Sequence, residues 1–310
     1  MRNPIKIPLI LGTLLGLLAA DVVRAQSEGD KYVLESLKKL LTVQTIECDI
    51  RIETFVDGKE HVIRGSYAEQ AWPLSTPSTF LRSVYRLELS FPMDPSNMNP
   101  SNVAPNCMTL VCYASEDGEQ HQLERYTSIE GVRSGSTINL KKLEERLKAA
   151  NREVSYSQVS EVRNLGGLAG KMRQISRFYE FSHLSPENLQ DEETIPTLKL
   201  SGALRSIHRK ELLTQFGGLD KKGEYPAGFP SDIELWLGRH NDFPYKICYL
   251  RRTSEKSEQK EVLFQESLYK VVLNGTPIPL SDSRFAPLKF PEDIFNIQDE
   301  TENCMKALGL

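Results

Sequence analysis

The residues able to do chemistry are spread thinly along this 310-residue chain. The five histidines are His61, His121, His183, His208 and His240, and no two lie within four residues of each other, so none forms a local ligand pair. Five cysteines, Cys48, Cys107, Cys112, Cys248 and Cys304, include no CxxC and no Cys/His spacing that fits zinc. Cys107 and Cys112 lie in a strand-like segment with an odd separation, which points them to opposite faces and keeps them from pairing. An odd total leaves at least one thiol free, most of these cysteines read as small core hydrophobes, and one disulfide between distant strands stays open. HExxH, GxSxG, an EF-hand loop and a dinucleotide fingerprint are all missing. Gly166-Gly167-Leu168-Ala169-Gly170-Lys171 has the look of a phosphate loop. It lacks the glycine spacing, and Met172 stands where Ser or Thr is required, so it reads as a helix start. Carboxylates fall on polar strand faces without nominating an acid/base pair. Arg251, Arg252, Lys256 and Lys260 read as a solvated hairpin tip, and Asn274-Gly275-Thr276 as a turn more than a glycosylation site. Trp72 and Trp236 each suit a cavity rim or a packed aromatic. No catalytic residue, metal site or cofactor is expected.

Composition narrows the class. A net charge of −4 with 26% charged and 39% hydrophobic residues is ordinary globular chemistry. Scattered, mildly acidic charge excludes a nucleic-acid binder, which needs clustered Lys and Arg. Arg2 and Lys6 precede an apolar run from Ile7 to Ala20, and Val23-Arg24-Ala25 closes it. This is the layout of a cleavable signal peptide over residues 1–25. The run is short of the roughly 20 residues a membrane span needs. The expectation is an exported, periplasmic or secreted chain without a stable membrane span.

The elements that must hold any site are mostly strands. Val33, Leu34, Leu37, Leu40 and Leu41 recur at helical spacing. From Ile46 the period becomes two, with Ile46, Cys48, Ile50, Ile52 and Val56 opposite Glu47, Asp49, Arg51 and Glu53. Asp57-Gly58 marks a hairpin into a strand through Val62, Ile63 and Tyr67. Further strands are predicted at Phe80–Phe91, Cys107–Ala114, His121–Ile129, Thr197–Ala203, Asp232–Leu237, Tyr245–Tyr249 and Val262–Leu273. Helices are predicted at Leu140–Leu147, capped by Asn139, from Gly167 to about Phe181, around Arg209–Gln215, and at the end around Cys304. Residues 285–298 read as irregular. Turn-linked strands pair antiparallel, and so many half-apolar strands must bury one face each. The economical solution is α+β and mainly β: one curved antiparallel half-barrel sheet wrapped around a few helices. Its concave interior suits either a hydrophobic ligand or its own side chains.

The closing segment carries a resemblance. Phe264, Val272-Leu273-Asn274-Gly275-Thr276-Pro277-Ile278 and Phe285-Ala286-Pro287, with the opening Asp57-Gly58 hairpin and Asp242-Phe243-Pro244-Tyr245-Lys246-Ile247, resemble the LolA/LolB-like superfamily of bacterial lipoprotein-sorting carriers. The resemblance runs over about Leu34 to Gln298. It implies a single LolA-like half-barrel domain over residues 26–310, with extra material at about 92–106 and 184–230. It implies no catalysis, and a cavity that shields lipoprotein acyl chains or another hydrophobic ligand. The expected function is therefore a non-enzymatic periplasmic carrier or chaperone, with an envelope protein as a further partner. The alternative is a periplasmic sensor or protein-interaction module whose core is filled by itself. The candidate cavity residues are Ile50, Ile52, Tyr85, Leu87, Leu235 and Ile247 on the sheet and Leu168, Met172 and Phe178 on a covering helix.

Overall fold

A computed structural model describes residues 27–56, 59–71, 83–91, 106–115, 120–129, 131–150, 167–190, 194–255, 257–279, 281–292, 294 and 297–307. The expected signal peptide, Trp72, the Asp57-Gly58 and Asp117-Gly118 turns and nearly all of 92–106 lie outside these residues.

Among the described residues twelve strands form one sheet. They are β1 (Thr45–Val56), β2 (Lys59–Ala71), β3 (Ser83–Ser90), β4 (Cys107–Ala114), β5 (His121–Ile129), β6 (Val132–Asn139), β7 (Tyr179–Gln190), β8 (Thr194–Leu204), β9 (Asp232–Gly238), β10 (Pro244–Arg252), β11 (Lys260–Leu273) and β12 (Ile297–Asp299). The order is β12-β6-β5-β4-β3-β2-β1-β11-β10-β9-β8-β7. Two antiparallel meanders, β1–β6 and β7–β11, thus meet where β1 pairs with β11. The mainly β, curved and open sheet expected from the alternating stripes is what the chain forms.

Curvature has a local cause. Register shifts occur at β1/β11, β10/β11, β9/β10 and β7/β8, whereas the described pairings from β1 to β6 run without one. Bulges add twist and bend a strand, so the bending devices sit in the carboxyl half and at its seam with β1. At that seam Lys270 takes a φ of 48°.

Among the described residues five helices accompany the sheet: α1 (Glu28–Leu40), α2 (Leu140–Ala149), α3 (Gly167–Phe178), α4 (Ser206–Gln215) and α5 (Thr301–Ala307). α1 starts at Ser27, whose hydroxyl accepts from Asp30 N–H, and buries Val33, Leu37 and Leu40. α3 buries Leu168, Met172, Ile175 and Phe178. Both stripes join one core with β1, β2 and β7 to β11. The covering helices therefore come from the amino end as well as mid-chain. α2 begins as expected, with Asn139 Oδ1 accepting from Lys142 N–H at 2.8 Å.

Several elements differ from the expectation. β6 was not legible, because Val132-Arg133-Ser134-Gly135-Ser136-Thr137 carries almost no apolar alternation. α3 stops at Phe178, and the chain continues as β7, part of the segment expected as extra material at 184–230. β7 contains Pro186, which an edge strand tolerates because one side needs no ladder hydrogen bond. β12 pairs with β6 in parallel, so the sheet is not antiparallel throughout. Trp236 is buried on the outer face with Cys248 and Leu250, beneath the ammonium groups of Lys199 and Lys246 at 4.9 and 4.7 Å from its ring. All five cysteines are free thiols.

The basic tip is not simply solvated either. Arg252 and Lys260 converge on the carboxylate of Asp232, a side chain only 1% exposed, at 2.6 and 3.0 Å. Ser231 donates to it at 2.8 Å. Burial opposes the charge of Asp232, but these hydrogen bonds win and hold its carboxyl below the usual range.

Candidate functional site

Strand register brings the candidate residues onto one face. Ile50 pairs with Leu268 and Ile52 with Glu266 across β1/β11. Glu266 pairs with Ile247, Ile247 with Leu235, and Leu235 with Leu200. Directly opposed residues share a face, so an apolar band crosses β1, β11, β10, β9 and β8. α1 and α3 lie on it. Seven of the nine candidates, Ile50, Ile52, Leu168, Met172, Phe178, Leu235 and Ile247, are buried in this one core. Leu87 is half-buried and packs against it. Tyr85 is buried in a separate cluster with Cys112, Leu123, Leu143 and Met305, under α2 and α5. Tyr67 packs against both clusters. The face is therefore continuous, with α1 and α3 over one part and α2 and α5 over another.

Polar groups tie the covering helices down at a few points. Lys171 Nζ donates to Glu266 Oε1 and Oε2 at 2.7 and 2.5 Å. Glu266 is buried on the inner face between Ile52 and Ile247. At the start of α3, Leu168 N–H donates to Tyr67 Oη at 3.0 Å and to Glu69 Oε2 at 3.3 Å. Tyr67 O–H in turn donates to Glu69 at 2.5 Å. A carboxylate at a helix N-terminus is favourable. Glu69 thus holds the place a bound anion would take, which completes the case against a phosphate loop at Gly166–Lys171. Gly167 has a φ of 61°, and a Cβ there would stand 2.7 Å from Glu69 Oε1 and Tyr67 Oη. The approach is open to glycine alone.

α1 is fastened to the far edge of the sheet. Ser27 O–H donates to Phe181 C=O at 2.6 Å, and Asp30 Oδ1 accepts from Phe181 N–H at 3.1 Å. Asp30 also holds Arg205 at 3.1 Å. Side chains of α1 thereby occupy the outward backbone groups of β7 at its bulge, a way of blunting an edge.

A nucleophile and a base do touch on the inner face. Cys112 Sγ lies 4.0 Å from His121 Nε2. Burial, then the charge of Glu69, pushes the thiol well above its ordinary value. Burial pulls His121 down to about 4. Both groups are neutral at pH 7, the reverse of a thiolate–imidazolium pair. No group of His, Cys, Asp and Glu that could hold a metal occurs among the described residues. None of the helices they form is long and apolar enough to cross a membrane.

Sequence reasoning missed Glu69, Lys171, Glu266 and the Ser27–Asp30 clasp. Polar letters inside an apolar stripe were the available signal: Glu69 follows Tyr67 at period two, and Glu266 stands between Phe264 and Leu268.

No family model matches the sequence, and no curated protein matches it either. Similar solved structures include LprF from Mycobacterium bovis, at 11% identity and a TM-score of 0.36, covering 83% of this chain and 97% of that one. A LolA superfamily protein from Nitrosomonas europaea has 11% identity and a TM-score of 0.25, covering 79% of this chain and 94% of its own. MucB in complex with MucA(peri) has 12% identity and a TM-score of 0.35; 85% of this chain is covered, and 62% of that chain. These likenesses concern fold.

Proposed function

We propose that this protein is a non-enzymatic carrier or chaperone that takes an acyl chain, of a lipoprotein or another amphiphile, onto the apolar inner face of its sheet. The observation that carries the reading is how that face is covered. Two short helices, α1 and α3, close a band that crosses five strands, and a few polar ties hold them: Ser27, Asp30 and Lys39, which pairs with Asp242, for α1, and Leu168 N–H, Lys171 and Ser176 C=O, which accepts from Arg205, for α3. Between those ties Met172, Ile175, Leu37 and Leu40 bury apolar side chains against the band. Such contacts can be exchanged in kind, since each methylene buried contributes about 0.8 kcal/mol. The described state is the closed one, with α1 and α3 where the ligand would lie. Residues 26–310 act in this reading as one exported domain, the cavity residues being those named above, and an envelope protein is the partner that would load or receive cargo.

A second reading, an interaction module with a self-filled core, has its own support. Met172, Phe181, Leu200 and Leu235 are wholly buried by neighbours within the chain. Native mass spectrometry of protein purified without detergent separates the two. The carrier shows adducts of acyl-lipid mass, or takes up palmitate and lysophospholipid at micromolar concentration. A clean apo mass that stays clean with both lipids in excess rejects the carrier and leaves the module.

A further inference from the structure

Helix α4 faces two ways. Its inner side, Leu212 with Leu213 and Phe216, packs on the core under α1 and α3. Its outer side begins with Ile207, which is 71% exposed. Just past its end Gly217 and Gly218, with φ of 92° and 81°, turn the chain and present Leu219 at 50% exposure. Exposed aliphatics are informative where they sit together, and these two stand at either end of one short helix-and-turn segment. The charge around them is equally out of character. Residues 205–222 hold five basic residues against two acidic ones, in a chain whose net charge is −4. Arg205 and Arg209 are spent on Asp30 and Glu255. Lys210, Lys221 and Lys222 are exposed and make no ion pair among the described residues. The positive field also reaches inward: burial first, then Arg177 and Arg205, hold His208 below its ordinary value.

We propose that α4 and the turn after it form a docking surface for an anionic lipid bilayer, with the three lysines among the headgroups and Ile207 and Leu219 below them. Exposed aliphatics flanked by exposed lysines match the two layers of a membrane interface, apolar beneath and negative above. An acidic protein would satisfy the lysines but gives no reason for bare isoleucine and leucine beside them. The net charge of the chain is negative, so a local basic patch would also orient it on such a bilayer. This surface is independent of whether the inner face takes an acyl chain, because vesicle binding is read directly.

The test is vesicle flotation with the full chain at low and high salt. It uses neutral phosphatidylcholine vesicles and vesicles with about one third phosphatidylglycerol. The expected result is flotation with the anionic vesicles only, weakened by salt. Lys210→Glu with Lys221→Glu and Lys222→Glu should weaken binding by at least 100-fold, each charge near the surface counting for about fivefold. Ile207→Ser with Leu219→Ser should weaken it about tenfold while leaving its salt dependence in place. All five positions are exposed, and an unchanged thermal unfolding midpoint shows that the variants fold. The proposal is overturned if the wild type stays behind with both vesicles, which points to an acidic protein partner instead. Equal binding to neutral vesicles, or a triple variant that floats like the wild type, overturns it as well.

Discussion

Lys171 on α3 and Glu266 on β11 form an ion pair on the inner face of the sheet, with both carboxylate oxygens within 2.7 Å of the ammonium. Glu266 is opposed by Ile52 on one side and Ile247 on the other, so its charge has only Lys171 to answer it among those immediate neighbours. Removing one partner of a buried pair costs about 3–5 kcal/mol, whereas replacing both by apolar groups is close to neutral. Lys171→Met should therefore lower the urea midpoint strongly, and Lys171→Met with Glu266→Leu should restore most of it. If the double variant is as unstable as the single one, the pair is not what fastens the helix.

His121 makes the fold sensitive to mild acid. Burial lowers its folded pKa to about 4 from an unfolded value near 6.5. The unfolded chain thus takes up a proton first. Stability is full above pH 6.5 and falls as pH drops toward 4, by about 3 kcal/mol in all. His121→Gln should flatten this part of the curve of unfolding free energy against pH. A wild-type curve level between pH 7 and 4.5 would contradict the assignment.

Asp232 acts lower on the scale. Its folded carboxyl sits below the ordinary value near 3.9, so its contribution is present above that pH and is lost as pH falls through the folded value. Asp232→Asn leaves Arg252 and Lys260 gathered around a neutral side chain and should cost about 3 kcal/mol at pH 7. The variant should also lose the steepest acid-induced drop below pH 4, measured by fluorescence-monitored unfolding.

Cys48 reports on the covering helices. Burial, then Glu266, Asp49 and Glu69, pushes its thiol up to about 12, against a partial pull from Lys171. Half-buried Cys107 should alkylate first with iodoacetamide, while Cys48, Cys112, Cys248 and Cys304 stay unmodified until denaturant is added. Peptide mass mapping gives the order. Palmitate should alter the labelling rate of Cys48 more than that of Cys248 on the outer face; equal effects would argue against displacement of α3.

The apolar band was legible because strand period needs no knowledge of partners. Ile50, Ile52, Leu235 and Ile247 announce their face by alternation alone, and Leu168, Met172 and Phe178 by helical spacing. Tyr85 alternates as cleanly, yet register carries it toward α2 and α5, a distinction that only pairing reveals. Glu69, Asp232 and Glu266 stayed hidden for a different reason. A charged residue is normally solvated, and whether Arg252 or Lys171 comes to meet it depends on contacts between distant segments. β6 and β7 failed locally, one through Ser and Gly, the other through Pro186 and a run of polar residues that only an edge permits.

The seam between β1 and β11 has a consequence for how the chain reaches its shape. During synthesis β1 finds β2 at once, but its other side faces open water until β11 emerges more than 200 residues later. Contacts so far apart in sequence form late, because closing the intervening loop is costly. For that interval the middle of the finished sheet is a raw border, bare Ile46, Ile50 and Ile52 included. A helper that shelters the nascent chain over that interval would raise the yield of folded protein without touching the finished molecule.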